Sequence, residues 1–240
     1  MITLYDIGPA FINGQEIGTS PFVRRVIYTL NYKKLPYKLK LLSYEAVEPT
    51  AKSIRAPPTG VRADGTTPRY TVPFIHDQDS DRDVAVSDSM RIAEYLDNTY
   101  PDTPTVMTLD TPEFSEVVGT KFRPLYPVLG PKMREILSPA LLEGQRKLYG
   151  DPAPALSKEK EAEAWEAAKE GFASLSGYHK EGNEAEGKLT FGHFSIASFV
   201  WFANVLYGKD SKELQEVRSW AGGWVAQVFD KAERHPSMQV

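Results

Sequence analysis

Apolar residues fill most of positions 2 to 7, "ITLYDI", a run of strand length and too short for a helix. Beyond Pro21 the period changes. Val23, Val26, Ile27 and Leu30 recur at i, i+3, i+4 and i+7, which predicts one buried helical face. "YKLKLLSY" returns to strand character, so the opening unit reads as βαβ with a parallel strand pair. From Glu48 to Thr67, "EPTAKSIRAPPTGVRADGTT" is rich in Pro, Gly and charge and predicts a short, weak helix followed by a loop. "RYTVPFIHD" and "DVAVSDS" flank the turn-forming "DQDSDRD" and predict a hairpin. Ile92, Ala93 and Leu96 then give the next helix its buried face.

The order βαβ, weak helix, ββα is the thioredoxin-like arrangement. After Pro104 no further strand pattern is evident and helical patterns dominate. "TPEFSEVVGTKFRPLYPVLGPKMREIL" is helical in composition but interrupted by Pro124, Pro127 and Pro131, which predicts kinks or broken segments. "SKEKEAEAWEAAKEGFASL" carries Trp165, Ala168, Phe172 and Leu175 on one face and charge on the other. "FSIASFVWFANVLYG" is apolar nearly all round and is expected to be a central buried helix. The expected organisation is an α/β thioredoxin-like domain over residues 1–104, then an all-α domain over residues 105–240.

Composition narrows the function. The chain has 240 residues, 41% hydrophobic and 25% charged, as in ordinary soluble globular proteins. A net charge of -4 points away from nucleic acid and anionic membrane surfaces. There is no cysteine, which removes disulfides, thiolate metal sites and nucleophilic or redox chemistry at a protein thiol. "MITLYDIGPAFING" lacks the basic segment and long apolar run of a secretory signal, and the most apolar stretch is too short and too polar to span a bilayer. A cytosolic location follows as the expectation. His76, His179, His193 and His235 have no metal-ligand spacing, so no metal is expected.

Three local features carry candidate chemistry. Ser20 precedes Pro21 at the mouth of the first helix, where a hydroxyl can cap the free amides. Val72-Pro73 opens a strand with a proline, and a cis bond there would expose the backbone of Val72. Asp88-Ser89 meets the start of another helix, whose amides and dipole suit a carboxylate. Each alone reads as a cap or a turn. Together, in this order on one βαβ–ββα frame, they point to a binding site.

Across nearly its whole length the chain resembles a glutathione transferase. "SPFVRRVIYTLNYKKLPY", "EPTAKSIRAPPTG", "DGTTPRYTVPFIHD" and "VSDSMRIAEYLDNTYPDTP" look most like the fungal-specific class A enzymes, relatives of bacterial β-etherases. "SPF" is also similar to the "CPF" of the Omega class, with serine in place of cysteine. The resemblance implies that Val72, with Pro73, pairs its backbone with the cysteinyl part of glutathione. It implies that Asp88 and Ser89 take the γ-glutamyl amine and carboxylate, and that the Ser20 hydroxyl donates to the sulfur. Thr19 is the rival for that last role. A free thiol has a pKa of about 8.5, so a hydroxyl donor and a helix N-terminus that favour S⁻ suffice without a general base. Lys52, Arg62 and Arg69 are candidates for the glycyl carboxylate.

The implied function is conjugation of reduced glutathione to small, aromatic electrophiles in detoxification, by a homodimer. The alternatives are a glutathione-dependent carrier of aromatic compounds, or β-etherase or peroxidase activity. Phe22 and Tyr126 are acceptor-site candidates; for Trp201 and the other aromatics core packing is the better reading. Tyr5, inside the first strand, is expected in the core or behind the site rather than as a catalytic tyrosine. "GPAFINGQEIGT" is expected to be a long loop forming part of the wall around the thiol. In "SIAS", Ser198 stands where the family's central-helix cap has Asp, so a weaker or differently closed helix start is expected.

Overall fold

The computed structural model describes residues 1–12, 14–108, 111–177 and 188–234; His179 and His235 lie outside them. Two compact units emerge, one of Met1–Thr105 with Leu137–Asp151, the other of Val106–Ile136 with Pro152–His235. The segment 137–151 thus packs with the N-terminal unit.

In chain order the first 105 residues form β1 (Ile2–Ile7), β2 (Ala10–Ile12), β3 (Gln15–Ile17), α1 (Pro21–Tyr32), β4 (Tyr37–Leu42) and α2 (Tyr44–Ser53). Then come β5 (Gly60–Val61), β6 (Pro68–Arg69), β7 (Phe74–Gln78), β8 (Asp83–Ser87) and α3 (Ser89–Thr99). The main sheet runs β4-β1-β7-β8. β1 pairs parallel with β4, Ile2 opposite Tyr37, and antiparallel with β7, Tyr5 opposite Phe74. This is the thioredoxin-like order that the periodicity predicts.

Strand alternation sorts the side chains. Ile2, Leu4 and Ile75 pack with Val23, Val26, Ile27 and Leu30 of α1 and Ile92 and Leu96 of α3. Each such buried aliphatic contributes about 1.5–3 kcal/mol. Tyr5 instead stacks on Phe74 at 4.6 Å between ring centroids and is buried, in keeping with a core role. The Lys33 amine, at the end of α1, is buried and donates to Asp97 of α3 at 2.7 Å and to the Pro104 carbonyl at 3.0 Å. A buried ammonium needs such partners, and these tie two helices and the chain's exit together. On the inner strand β7, Asp77 accepts from Arg82, Tyr95 and Tyr100. Burial opposes its ionisation, but these donors and the Arg82 charge hold the carboxyl below the usual range.

Some elements differ from the sequence expectation. The segment before Ser20 is not a loop: β2 and β3 form an antiparallel ladder, Ala10 opposite Ile17, and Ala10 bridges Leu137. α2 begins at Tyr44, earlier than the Pro/Gly-rich stretch suggested; β5 and β6 form a small ladder across the end of the expected loop that takes in Arg69, and the hairpin strand β7 begins only at Phe74.

The remaining helices are α4 (Thr111–Phe122), α5 (Tyr126–Ile136), α6 (Pro139–Tyr149), α7 (Lys158–Ala173), α8 (Phe191–Tyr207), α9 (Lys212–Ser219) and α10 (Trp224–Glu233). The segment breaks at Pro124 and Pro127 as expected, whereas α5 runs on through Pro131 without a break. Pro124 sits in a 3₁₀ turn that ends α4, Pro127 in the first turn of α5, and Pro131 inside α5. In the second unit α8 is buried over most of its length. Its Gly192 has no room for a Cβ, which would run into the Phe114 ring, and Ser195 bonds Ser115 at 2.8 Å beside it.

The start of α8 is closed further upstream than "SIAS". Thr190 is the N-cap, and its N–H donates to Nδ1 of His193 at 3.1 Å, a reciprocal box with histidine in the acidic position. Ser198 lies inside the helix and donates to the Ser195 carbonyl.

Candidate functional site

The site is built at the C-terminal end of β1. After Ile7 the β2–β3 ladder folds back, and the Thr19 N–H donates to the Ile7 carbonyl at 2.9 Å. The Thr19 hydroxyl donates to that same carbonyl at 3.3 Å, and Thr19 is only 3% exposed. Ser20 follows in an extended conformation, φ -89 and ψ 119, as the N-cap of α1. Its Oγ accepts from the Val23 N–H at 3.3 Å.

The amides of the first turn can be accounted for one by one. Ser20 N–H donates to Asp6 Oδ1 at 3.2 Å, Pro21 has none, and Val23 N–H goes to Ser20 Oγ. Among the described residues, the Phe22 N–H and the Ser20 hydroxyl hydrogen have no acceptor. A helix mouth with one amide and one hydroxyl hydrogen left over favours an anion.

Beneath it lies Asp6, 2% exposed, an acid within a mostly apolar strand. Its Oδ1 also accepts from Ile7 N–H at 2.7 Å. Burial lifts the carboxyl to about 8, against the Ile7 and Ser20 amides and the Arg24 charge. Gly18 is required for space here, since a Cβ would run into the Asp6 carboxylate.

β7 runs antiparallel to β1, so its start lies at the same end of the sheet. Val72-Pro73 is cis, as the sequence suggested. Among the described residues no backbone hydrogen bond engages the N–H or C=O of Val72. The Pro73 carbonyl accepts from the Asp88 N–H at 3.2 Å. Asp88, with φ 79, caps α3 by accepting from Met90 and Arg91 at 3.0 and 3.2 Å. Ser89 is the first residue of α3 and is 6% exposed. Ser20, Val72-Pro73 and Asp88-Ser89 therefore gather at one end of one sheet, through residues far apart in sequence.

Lys52, Arg62 and Arg69 line a cavity of about 770 Å³, with Tyr44, Tyr70 and Tyr149 among its walls. Glu48 already pairs with Lys52 at 2.7 Å and Arg62 at 2.9 Å. The hydrogen bond from Lys52, helped by the Lys52 and Arg62 charges and the bond from Arg62, holds the Glu48 carboxyl below its usual range against the opposing effect of burial. Arg69 has no ion pair among the described residues. Of the acceptor candidates, Phe22 is 39% exposed with the Arg25 guanidinium 4.6 Å from its ring centroid. Tyr126 belongs to the other unit, is 39% exposed and meets Phe122 edge-on at 5.9 Å. His76 bonds Asp83, and His193 serves the α8 cap.

Residues 19–99 match the family described as "Glutathione S-transferase, N-terminal domain", and residues 113–235 match "Glutathione S-transferase, C-terminal domain". The chain belongs to the glutathione S-transferase family. A glutathione S-transferase of Ceriporiopsis subvermispora, solved with glutathione, is 32% identical over 98% of this chain and 97% of that one, with a TM-score of 0.80. A second from that fungus, also with glutathione, is 28% identical over 97% and 98%, TM-score 0.80. A glutathione transferase of Phanerochaete chrysosporium is 25% identical over 98% and 97%, TM-score 0.81. A glutathione S-transferase-like protein of Aspergillus flavus is 35% identical over 94 residues, 38% of this chain and only 33% of its own length. The chain thus has the family's mixed-sheet N-terminal unit followed by helices, and no helix among its described residues is long and apolar enough to cross a membrane.

Sequence reasoning missed Asp6 and Gly18. The signal was present as a lone acid in "ITLYDI", but its partner stands 14 positions away.

Proposed function

We propose that the chain is a serine-type glutathione transferase that conjugates reduced glutathione to small aromatic electrophiles. The observation that carries this reading is the division of labour between neighbouring hydroxyls. Thr19 is buried and spends its hydrogen on the Ile7 carbonyl, whereas Ser20 keeps its own for a ligand. Glutathione lies extended along Val72, whose unpaired N–H and C=O suit the cysteinyl main chain. Its γ-glutamyl end meets Asp88 and Ser89, and Arg69, unpaired at the cavity rim, takes the glycyl carboxylate. The sulfur then faces the Ser20 hydroxyl and the N-terminus of α1, which stabilise S⁻ at neutral pH. The thiolate attacks the electrophilic carbon, the C–S bond forms, and the leaving group departs with its bonding pair.

The "SPF" element and the fungal relatives support membership of the fungal-specific class A. A detoxifying role in the cytoplasm, as a homodimer, is part of the same reading and rests on the family resemblance. The tyrosine-lined cavity supports a second reading, a carrier that holds flat aromatic compounds with little turnover.

The deciding experiment is titration of thiolate absorbance in the glutathione complex. Ser20→Ala is expected to raise the bound thiol's pKa, with affinity for glutathione changed less. An unmoved pKa in Ser20→Ala with a shift in Thr19→Ala transfers the role to Thr19. Turnover undetectable over a panel of electrophiles, with thermal stabilisation by aromatic ligands, favours the carrier.

A further inference from the structure

We propose that Asp6 is the positioning residue of the Ser20 hydroxyl, fixing the mouth of α1 on the end of β1 through the Ser20 backbone N–H. The inference rests on the reading of Ser20 given above.

A carboxyl side chain buried within an apolar strand is costly, and a hydrophobic residue would fill the same volume without that cost. What an apolar residue cannot do is accept hydrogen bonds. Asp6 Oδ1 accepts from Ile7 and from Ser20, joining the end of β1 to the N-cap of α1 across 14 positions. Thr19 adds two bonds to the Ile7 carbonyl, but these hold Thr19 and leave the rotation at Ser20 open. The Asp6 bond is the one that reaches Ser20 itself. With that N–H held and Oγ engaged by Val23, both ends of the serine are anchored, and its O–H is left to point along one direction.

The surroundings are shaped to this contact. Gly18 leaves the space that the Asp6 carboxyl occupies. Burial keeps that carboxyl up at about 8, so at neutral pH it is mostly protonated. The Arg24 charge of α1 and the two amides act the other way, and Tyr44 of α2 is the further titratable group that feels it. A neutral acceptor beneath the thiolate site is an advantage, because a second negative charge there would oppose formation of S⁻. The same geometry predicts that a neutral amide replaces the carboxyl at position 6 and that a methyl group does not.

The test reads the pKa of the bound glutathione thiol by its thiolate absorbance in the wild-type chain, Ser20→Ala, Asp6→Ala, Asp6→Asn and the double variant Asp6→Ala/Ser20→Ala. Ser20→Ala and Asp6→Ala are each expected to raise the pKa by about one to two, a ten- to hundredfold loss of thiolate. Asp6→Asn is expected to leave it near wild type, since Oδ1 of asparagine accepts the same two bonds. The double variant is expected to match Ser20→Ala alone, because Asp6 acts only through Ser20. A merely structural Asp6 would instead add its effect in full to that of Ser20→Ala, and that result overturns the proposal. So does an unmoved pKa in folded Asp6→Ala. Should Asp6→Ala not fold, Asp6→Asn still decides: a rise as large as that of Ser20→Ala sinks the idea. If Ser20→Ala itself leaves the pKa unmoved, the Ser20 reading fails and takes this one with it. A shift in Ser20→Ala with none in Asp6→Ala removes Asp6 alone.

Discussion

The Asp88 N–H donates to the Pro73 carbonyl across 3.2 Å, so the strand entry and the mouth of α3 are one piece of structure. The bond leaves Val72, one residue earlier, with its backbone groups open, and turns the Asp88 side chain onto the amides of Met90 and Arg91. Asp88 holds φ at 79, an uncommon conformation for a residue with a Cβ that asparagine and aspartate tolerate best.

Asp88 and Ser89 are therefore expected to respond differently to truncation. Ser89→Ala removes a hydroxyl without touching a cap, and should weaken glutathione by about 1 kcal/mol or more, roughly fivefold, at unchanged melting temperature. Asp88→Ala should weaken binding and also lower stability by about 1 kcal/mol, since the α3 cap goes with it. Calorimetry and thermal melts on both variants check this. Equal affinity in the two variants and the wild type would remove both residues from the site.

The three basic residues at the cavity should also separate. Glu48 already neutralises much of Lys52 and Arg62, so Lys52→Ala and Arg62→Ala are expected to change glutathione affinity little. Arg69→Ala should weaken it about tenfold, on the scale of about 1.5 kcal/mol for a charged hydrogen bond. The glycyl ester of glutathione lacks the carboxylate in question. Wild type and Arg69→Ala should bind that ester alike, and a persistent difference with the ester would count against the assignment.

How much of this was legible in the sequence depends on the range of the forces involved. β1, α1, β4, β7, β8 and α3 follow from periodicity because each buries one face or both against the sheet, and that pattern is local. β2 and β3 are each three residues long, too short for a period to register, and their ladder closes over a Gly-containing turn. Ser20, Val72, Pro73, Asp88 and Ser89 could be picked as a set because turn and cap residues have their own signatures. The partner of the Thr19 hydroxyl could not, since it is the Ile7 carbonyl of β1, 12 positions away. The α8 cap was sought at Ser198 for want of an acid, whereas an imidazole nitrogen fills that role at His193.

That cap gives a stability test. His193→Ala should lose the bond from the Thr190 N–H and cost about 1 kcal/mol, a fall of about 2–4 °C in the melting temperature. His193→Gln should recover much of it, because a neutral amide oxygen at this position serves the same box in a buried setting. A glutamine variant no better than alanine would show that the ring's packing against Phe114 and Trp224, rather than its nitrogen, holds the helix start.

The buried Asp6 predicts the sign of a pH dependence. Its folded carboxyl keeps its proton up to about 8, chiefly because of burial. The unfolded chain releases that proton near the ordinary value of about 3.9. Between those values the folded state binds more protons than the unfolded state, so this group makes the fold less stable as the pH rises. Its contribution is fully present below about pH 4 and is lost on the way to pH 8. Asp77 has the opposite sign, since its lowered carboxyl stabilises the fold above the unfolded value and ceases to do so in acid. Asparagine at position 6 accepts the same hydrogen bonds and does not titrate. Asp6→Asn should therefore gain on the wild type with rising pH, by at most about 1.4 kcal/mol per unit, and level off above pH 8. Asp77 is common to both chains and cancels in the difference. Urea midpoints at pH 5 and pH 8 measure the gap, and a gap that stays constant over that range would show that Asp6 is ionised in the folded protein throughout.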